Sequence, residues 1–134
     1  VLEDCETQRN LDARGRAQAR LIGAEMRARG VTFDSVFTSQ WCRCRETAGL
    51  LEMGPVEAQP SLNSFFAGQG DRIGQTASTL EALSAREGRV LLVTHQVNIT
   101  ALTGVFPKSG EIVVAELNGG ALTVTGRILI GPPD

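Results

Sequence analysis

The run Val90-Leu91-Leu92-Val93-Thr94, five residues of which four are apolar, leads directly into His95 and then into Ile99, Leu102 and Phe106 at three- and four-residue spacing. A short apolar run of this kind reads as a strand at the centre of a parallel sheet, buried on both faces. The spacing that follows reads as a short helix packed on that sheet. A strand feeding a helix is the repeating unit of an α/β fold, and here the junction falls on His95. In open α/β sheets the carboxyl edge is where ligands bind, and a helix amino terminus favours anions there. An imidazole in that place can accept or donate a proton near neutral pH. His95 is the only histidine of the chain. By itself it reads more readily as a partly buried histidine bonded to a neighbouring carbonyl.

A chain of 134 residues is one domain, large enough to bury a core without disulfide or metal staples. Hydrophobic residues at 42% and charged residues at 21% are ordinary for a soluble globular protein. A formal charge of −2 argues against a general nucleic-acid or anionic-membrane surface. Five phenylalanines, one tryptophan and no tyrosine leave little for base stacking. No apolar run approaches the roughly 20 residues of a membrane span. The cysteines Cys5, Cys42 and Cys44 are odd in number and too few for a disulfide scaffold. A bridge between Cys42 and Cys44, only two apart, would be strained. Compartment and oligomeric state stay open. The opening Val1-Leu2-Glu3-Asp4-Cys5 carries no initiator methionine, no signal peptide and no strand of its own, and reads as the start of an incomplete domain.

Asp12 is placed to cap a helix from about Ala13 to Ala28, with Gly30 just beyond it. Ala17, Leu21, Ala24 and Ala28, widened by Ile22 and Met26, form its expected apolar stripe. A strand is expected over Val31 to Thr38, centred on Ser35-Val36-Phe37-Thr38, and Ser39 is expected to cap a helix through Leu51 that Gly54-Pro55 stops. Residues 55 to 70 read as a short strand and an ordered loop, a wall or lid for a pocket. Ile73, Ala77, Leu80 and Leu83 mark the stripe of a third helix leading to the His95 strand. Glu111 to Leu117 and Ala121 to Ile130, joined at Asn118-Gly119-Gly120, read as a hairpin, which predicts a mixed sheet.

Two strand-to-helix junctions carry polar groups, Thr38-Ser39-Gln40-Trp41-Cys42-Arg43 and Thr94-His95-Gln96-Val97-Asn98. Right-handed crossovers open both on the same sheet edge. Arg43, one turn into its helix, offers a planar guanidinium suited to bidentate binding of phosphate. A solvated arginine is the plainer alternative. A cysteine phosphatase needs an arginine six residues after its cysteine, but Leu11, Ala48 and Leu50 stand there. Cys42, Cys44 and His95 make a poor zinc set, because Cys-x-Cys on a helix points its thiols apart and no fourth ligand is evident. Neither a Walker-type loop nor a Gly-x-Ser-x-Gly elbow occurs.

Three segments resemble the histidine phosphatase superfamily, the phosphoglycerate-mutase-like fold. Leu11-Asp12-Ala13-Arg14-Gly15-Arg16-Ala17-Gln18-Ala19 is similar to its Leu-Ser/Thr-x-x-Gly-x-x-Gln-Ala helix start. Phe37-Thr38-Ser39 through Arg43 to Thr47-Ala48 resembles its Ser-x-x-x-Arg-x-x-x-Thr-Ala segment, and Leu92-Val93-Thr94-His95 its second-histidine strand. The motifs run in the family's order across about residues 7 to 104. The Asp4-to-Leu11 opening and the His95-Gln96-Val97-Asn98-Ile99 stretch look most like small bacterial phosphatases, including relatives of lipopolysaccharide-core phosphatases.

The resemblance implies a three-layer α/β fold with a mostly parallel sheet and an antiparallel carboxy-terminal hairpin. It implies a metal-independent phosphomonoester hydrolase, without cofactor, acting on a small phosphorylated substrate through a phosphohistidine intermediate. Arg43 and His95 match the family's phosphoryl-binding pair, with Arg9, Asn63 and Gln96 as outer contacts. Two departures stand out. The family's first strand ends in Arg-His-Gly, which supplies the nucleophile, and this sequence has no such tripeptide. The chain is therefore expected to lack that strand and to be inactive by itself. Asn63-Ser64 and Gln96 also stand where many members carry a leaving-group acid, a contribution of about 10²–10⁴-fold. The alternatives are a non-catalytic phosphate-binding relative, or a nucleotide- or sugar-binding module with a structural His95.

Overall fold

The computed structural model describes residues 4–65 and 71–131. A short 3-10 turn at Cys5–Thr7 precedes helix α1 (Ala13–Ala28), strand β1 (Ser35–Thr38), helix α2 (Cys42–Leu51) and strand β2 (Val56–Ala58). A second 3-10 turn, Pro60–Leu62, leads to helix α3 (Arg72–Ser84), strand β3 (Val90–Val93) and helix α4 (Gln96–Thr103). Strands β4 (Glu111–Asn118) and β5 (Ala121–Leu129) complete the fold.

The sheet is parallel in the order β2-β1-β3, with Thr38 opposite both Ala58 and Val93. The chain steps from β1 out to β2 and then back past β1 to β3. Right-handed crossovers in opposite directions put α2 and α3 on opposite faces, which makes three layers. The core lies where α2 meets β1 on one side and α1 on the other, at Val36, Phe37, Cys44, Ala48 and Leu51.

Asp12 caps α1 as its sequence position predicts, accepting the Gly15 amide at 2.8 Å. Of the expected stripe Ile22 is buried, whereas Ala24 and Ala28 are exposed, and the buried line runs instead through Ala19, Ile22 and Gly23. The cause is Gly23, which lies against the Leu51 backbone and lets the two helices approach along that line. Helix α2 starts later than expected. Trp41 is its cap residue, and Ser39 bonds the Trp41 amide from outside the helix at 3.1 Å.

The Val90–Val93 strand is not central among the described residues. It pairs with β1 along one edge only, and all four of its residues are half-buried. The hairpin does not make the sheet mixed either. Strands β4 and β5 form their own two-stranded antiparallel sheet, turned at Gly119 and Gly120 with φ of 60° and 80°. On α3 the stripe is only partly covered, because Ile73 and Ala77 line an open groove with Leu80 and Ala101. The expected loop after β2 is described as far as Phe65; Phe66, Gly68 and Gly70 lie outside the described residues. No described helix is long and apolar enough to cross a membrane.

Two cysteines pair across the fold. Cys5 and Cys42 form a disulfide with Cα atoms 5.6 Å apart, leaving Cys44 as a buried free thiol. Spacing along the chain could not reveal this, because the 3-10 turn brings Cys5 onto the first residue of α2.

Candidate functional site

Parallel pairing of Thr38 with Val93 places the residues that follow them at one sheet edge. Ser39, fully buried, leaves β1 with its amide bonded to the Val93 carbonyl at 3.0 Å. His95 leaves β3 as the cap residue of α4 and is 7% exposed. Its Nε2 lies 2.8 Å from Ser39 Oγ.

The second residue of α2 closes the other side of the ring. Arg43 Nη2 stands 2.9 Å from His95 Nδ1, and the guanidinium carbon lies 5.5 Å from the centre of the Trp41 ring. Trp41 in turn meets the imidazole edge-on at 6.3 Å. The Cys44 thiol backs the ring, 3.7 Å from Nε2. Burial, and then the Arg43 charge, push the His95 pKa down to about 4, so the imidazole is neutral near pH 7. Burial pushes the Cys44 thiol up to about 11, which keeps it protonated.

Behind Ser39 stands Asn63. Its Oδ1 receives Ser39 Oγ at 3.1 Å and the Gln40 amide at 2.8 Å, while its Nδ2 donates to Gln40 Oε1 at 2.9 Å. The Asn63 carbonyl is held by Gln75 Nε2 at 2.7 Å and Asn98 Nδ2 at 3.0 Å. The far end of Asn98, Oδ1, is buried without a partner among the described residues. Gln8 Oε1 receives the Cys42 amide at 2.8 Å, next to the disulfide, and so supplies a cap that α2 lacks locally.

Of the residues picked out in the sequence, Arg43 and His95 come into direct contact. Asn63 joins them through Ser39, with both ends of its carboxamide bonded inside the protein. Gln96 is exposed at the first position of α4. Arg9 is exposed and makes no bond to the pair among the described residues. Sequence reasoning read Ser39 as a cap and as part of the Ser-x-x-x-Arg resemblance but missed its contact with His95, and missed Gln8, Gln75 and Asn98. Asn98 lay in plain view three residues after His95, whereas nothing local marks Gln8 or Gln75. The arrangement presents a guanidinium and an imidazole at the starts of two helices, a setting suited to a tetrahedral oxyanion.

A family model described as histidine phosphatase superfamily (branch 1) matches residues 5–78. The chain belongs to that superfamily. The match takes in Ser39, Arg43 and Asn63. Among solved structures, the protein histidine phosphatase SixA complexed with tungstate is similar at 19% identity and a TM-score of 0.68. That likeness covers 90% of this chain and 83% of the SixA chain, and it extends the fold relationship beyond the family match to the His95 half. None of the curated proteins matches the sequence. The α/β architecture of parallel sheet, flanking helices and terminal hairpin is thus that of a histidine phosphatase.

Proposed function

We propose that the protein is a phosphomonoester hydrolase that works through a phosphohistidine intermediate, with Arg43 and His95 holding the phosphoryl group. The observation that carries this reading is the 2.9 Å approach of Arg43 Nη2 to His95 Nδ1, at an edge where two parallel strands end and two helices begin. The guanidinium offers paired, coplanar donors to phosphoryl oxygens. The amino-terminal ends of α2 and α4 add partial positive charge. Such fixed donors act on the equatorial oxygens, whose charge dominates the transition state. The tungstate held by the SixA structure is a tetrahedral oxyanion of the same class.

A phosphohistidine route needs an attacking imidazole as well as a binding one, and this sequence carries one histidine. His95 takes the binding role, because Ser39 and Arg43 occupy both of its nitrogens. The attacking histidine then belongs to a strand outside this sequence, and the edge of β3 that is unpaired among the described residues is the place that suits it. Its ring nitrogen would form the N–P bond as the ester P–O bond breaks, and water would then cleave the N–P bond. The route calls for no metal. Gln96 and Arg9, both exposed, are assigned to outer contacts with the substrate.

Two measurements test the reading. Tungstate added to the 134-residue chain should bind and shift the His95 ring resonances, and Arg43→Ala should weaken that binding by about tenfold or more. The same chain should leave p-nitrophenyl phosphate untouched, and a version extended upstream by a strand ending in Arg-His-Gly should hydrolyse it. Failure to bind tungstate would overturn the site. Turnover by the 134-residue chain that disappears in His95→Ala would overturn the route.

A further inference from the structure

The hydrogen bonds around His95 run in one direction, and the inventory of donors fixes which. A guanidinium can only donate, so the bond from Arg43 Nη2 at 2.9 Å requires a lone pair on His95 Nδ1. In a neutral ring the proton must then be on Nε2, where it points at Ser39 Oγ, 2.8 Å away. Ser39 Oγ also accepts the Trp41 amide at 3.1 Å. A hydroxyl oxygen has two acceptor positions, and both are now filled. Its own proton then goes to Asn63 Oδ1, at 3.1 Å, the stronger acceptor beside it, with the Cys44 thiol as the other neighbour of the hydroxyl.

Asn63 is itself held in the orientation this requires. Its Oδ1 faces a second donor, the Gln40 amide, and its Nδ2 faces an acceptor, Gln40 Oε1. A flipped carboxamide would put donor against donor at one end and acceptor against acceptor at the other. The residue is also pinned through its carbonyl by Gln75 and Asn98.

We propose that Ser39 and Asn63 are positioning residues that lock His95 in its Nε2–H tautomer and so reserve Nδ1 for the Arg43 side of the site. The proposal rests on the phosphoryl-binding reading above and adds how the second imidazole is prepared for it. Nδ1 is then the ring atom free to gain a proton. When a dianion draws the Arg43 guanidinium to itself, Nδ1 loses that donor and the opposing charge is offset. One proton from solvent goes to Nδ1, which becomes a donor to the anion, and Nε2–H stays on Ser39. Among the described residues, the groups facing the ring are Arg43 and Cys44 of α2, Trp41 at the start of that helix and Ser39 after β1. None of them is a carboxylate that could pull the proton elsewhere.

A single histidine makes the test direct, because the imidazole nitrogen spectrum of the labelled 134-residue chain contains one ring. At pH 7 it should show a protonated Nε2 and an unprotonated Nδ1. Saturating tungstate should protonate Nδ1 without releasing Nε2–H. Ser39→Ala should give exchanging tautomers, and Ser39→Thr, which keeps the hydroxyl, should restore the lock. Asn63→Asp reports on the same relay should Ser39→Ala fail to fold; a carboxylate behind the hydroxyl should keep the tautomer and raise the ring pKa. A wild-type ring protonated on Nδ1, or an unchanged tautomer in folded Ser39→Ala, overturns the proposal. So would an unchanged ring pKa in Asn63→Asp. A locked, Ser39-dependent tautomer in a chain that binds no tungstate upholds the positioning role and removes the phosphoryl-binding reading instead.

Discussion

Arg43 Nη2 and His95 Nδ1 lie 2.9 Å apart, a permanent cation facing the unprotonated nitrogen of a buried ring. Neither side chain could be placed there by its own element alone. The register of β1 against β3 sets the edge, and the first turn of α2 carries the guanidinium back over it.

That contact predicts the behaviour of Arg43 variants. Burial is the larger cause of the low His95 pKa and Arg43 the smaller. Arg43→Ala should therefore raise the pKa, but leave it below the ordinary 6.5 because the ring stays buried. Arg43→Lys keeps a charge but loses the planar fork, so tungstate binding should weaken while the ring pKa stays low. Titration of the His95 ring by NMR with each variant separates the two contributions.

The same buried ring makes stability depend on pH. Its folded pKa is about 4, against 6.5 when exposed, so between those values the unfolded chain binds the extra proton. Stability from keeping His95 neutral is thus complete above about pH 6.5 and is lost as the pH falls toward 4, by on the order of 2 kcal/mol. Urea unfolding at pH 7.5 and pH 4.5 measures the difference. His95→Gln, which cannot titrate, should flatten it. An equal slope in that variant would assign the acid sensitivity to other groups.

Much of the fold was legible because it rests on local signals. The Asp12 cap gave the start of α1 to the residue, and Asn118-Gly119-Gly120 gave the hairpin turn, since each depends on chemistry within a few positions. That Arg43 and His95 meet at one sheet edge was legible for a related reason, because both lie at the starts of the helices that follow two strands. What stayed hidden depends on contacts far apart in sequence. Gly23 against Leu51 sets the buried face of α1, Cys5 meets Cys42, and Ser39 serves His95 instead of capping a helix. Hydrophobic periodicity also read the Val90–Val93 strand as central, because apolar content reports what a strand is suited to cover and not which neighbour is present.

The disulfide gives a third prediction. It joins residues 37 apart, a loop whose closure in the unfolded chain is worth about 3–4 kcal/mol. Cys5→Ser, or reduction of the native chain, should lower stability by roughly that amount, read as a drop in Tm. Cys44 should stay unmodified by iodoacetamide in the folded, reduced protein at pH 8, because burial holds its thiol protonated up to about 11. Rapid alkylation of Cys44 under those conditions would contradict the buried packing behind His95.

Two helical glycines should respond with opposite sign to the same substitution. A methyl group at Gly23 would run into the Leu51 carbonyl, and this is backbone that Arg27 also bonds, so it cannot swing aside as a side chain would. Overpacking of this kind costs roughly 1–3 kcal/mol, more than the gain of about 1 kcal/mol that alanine brings to a helix interior. Gly23→Ala should therefore destabilise the protein and loosen α1 from α2. Gly49 is exposed on α2, with nothing within 4 Å of an added Cβ. There the helix preference acts alone, so Gly49→Ala should stabilise by up to about 1 kcal/mol. Denaturant unfolding of the two variants side by side tests the α1–α2 contact. A stabilised Gly23→Ala would mean that the helices do not approach through that residue.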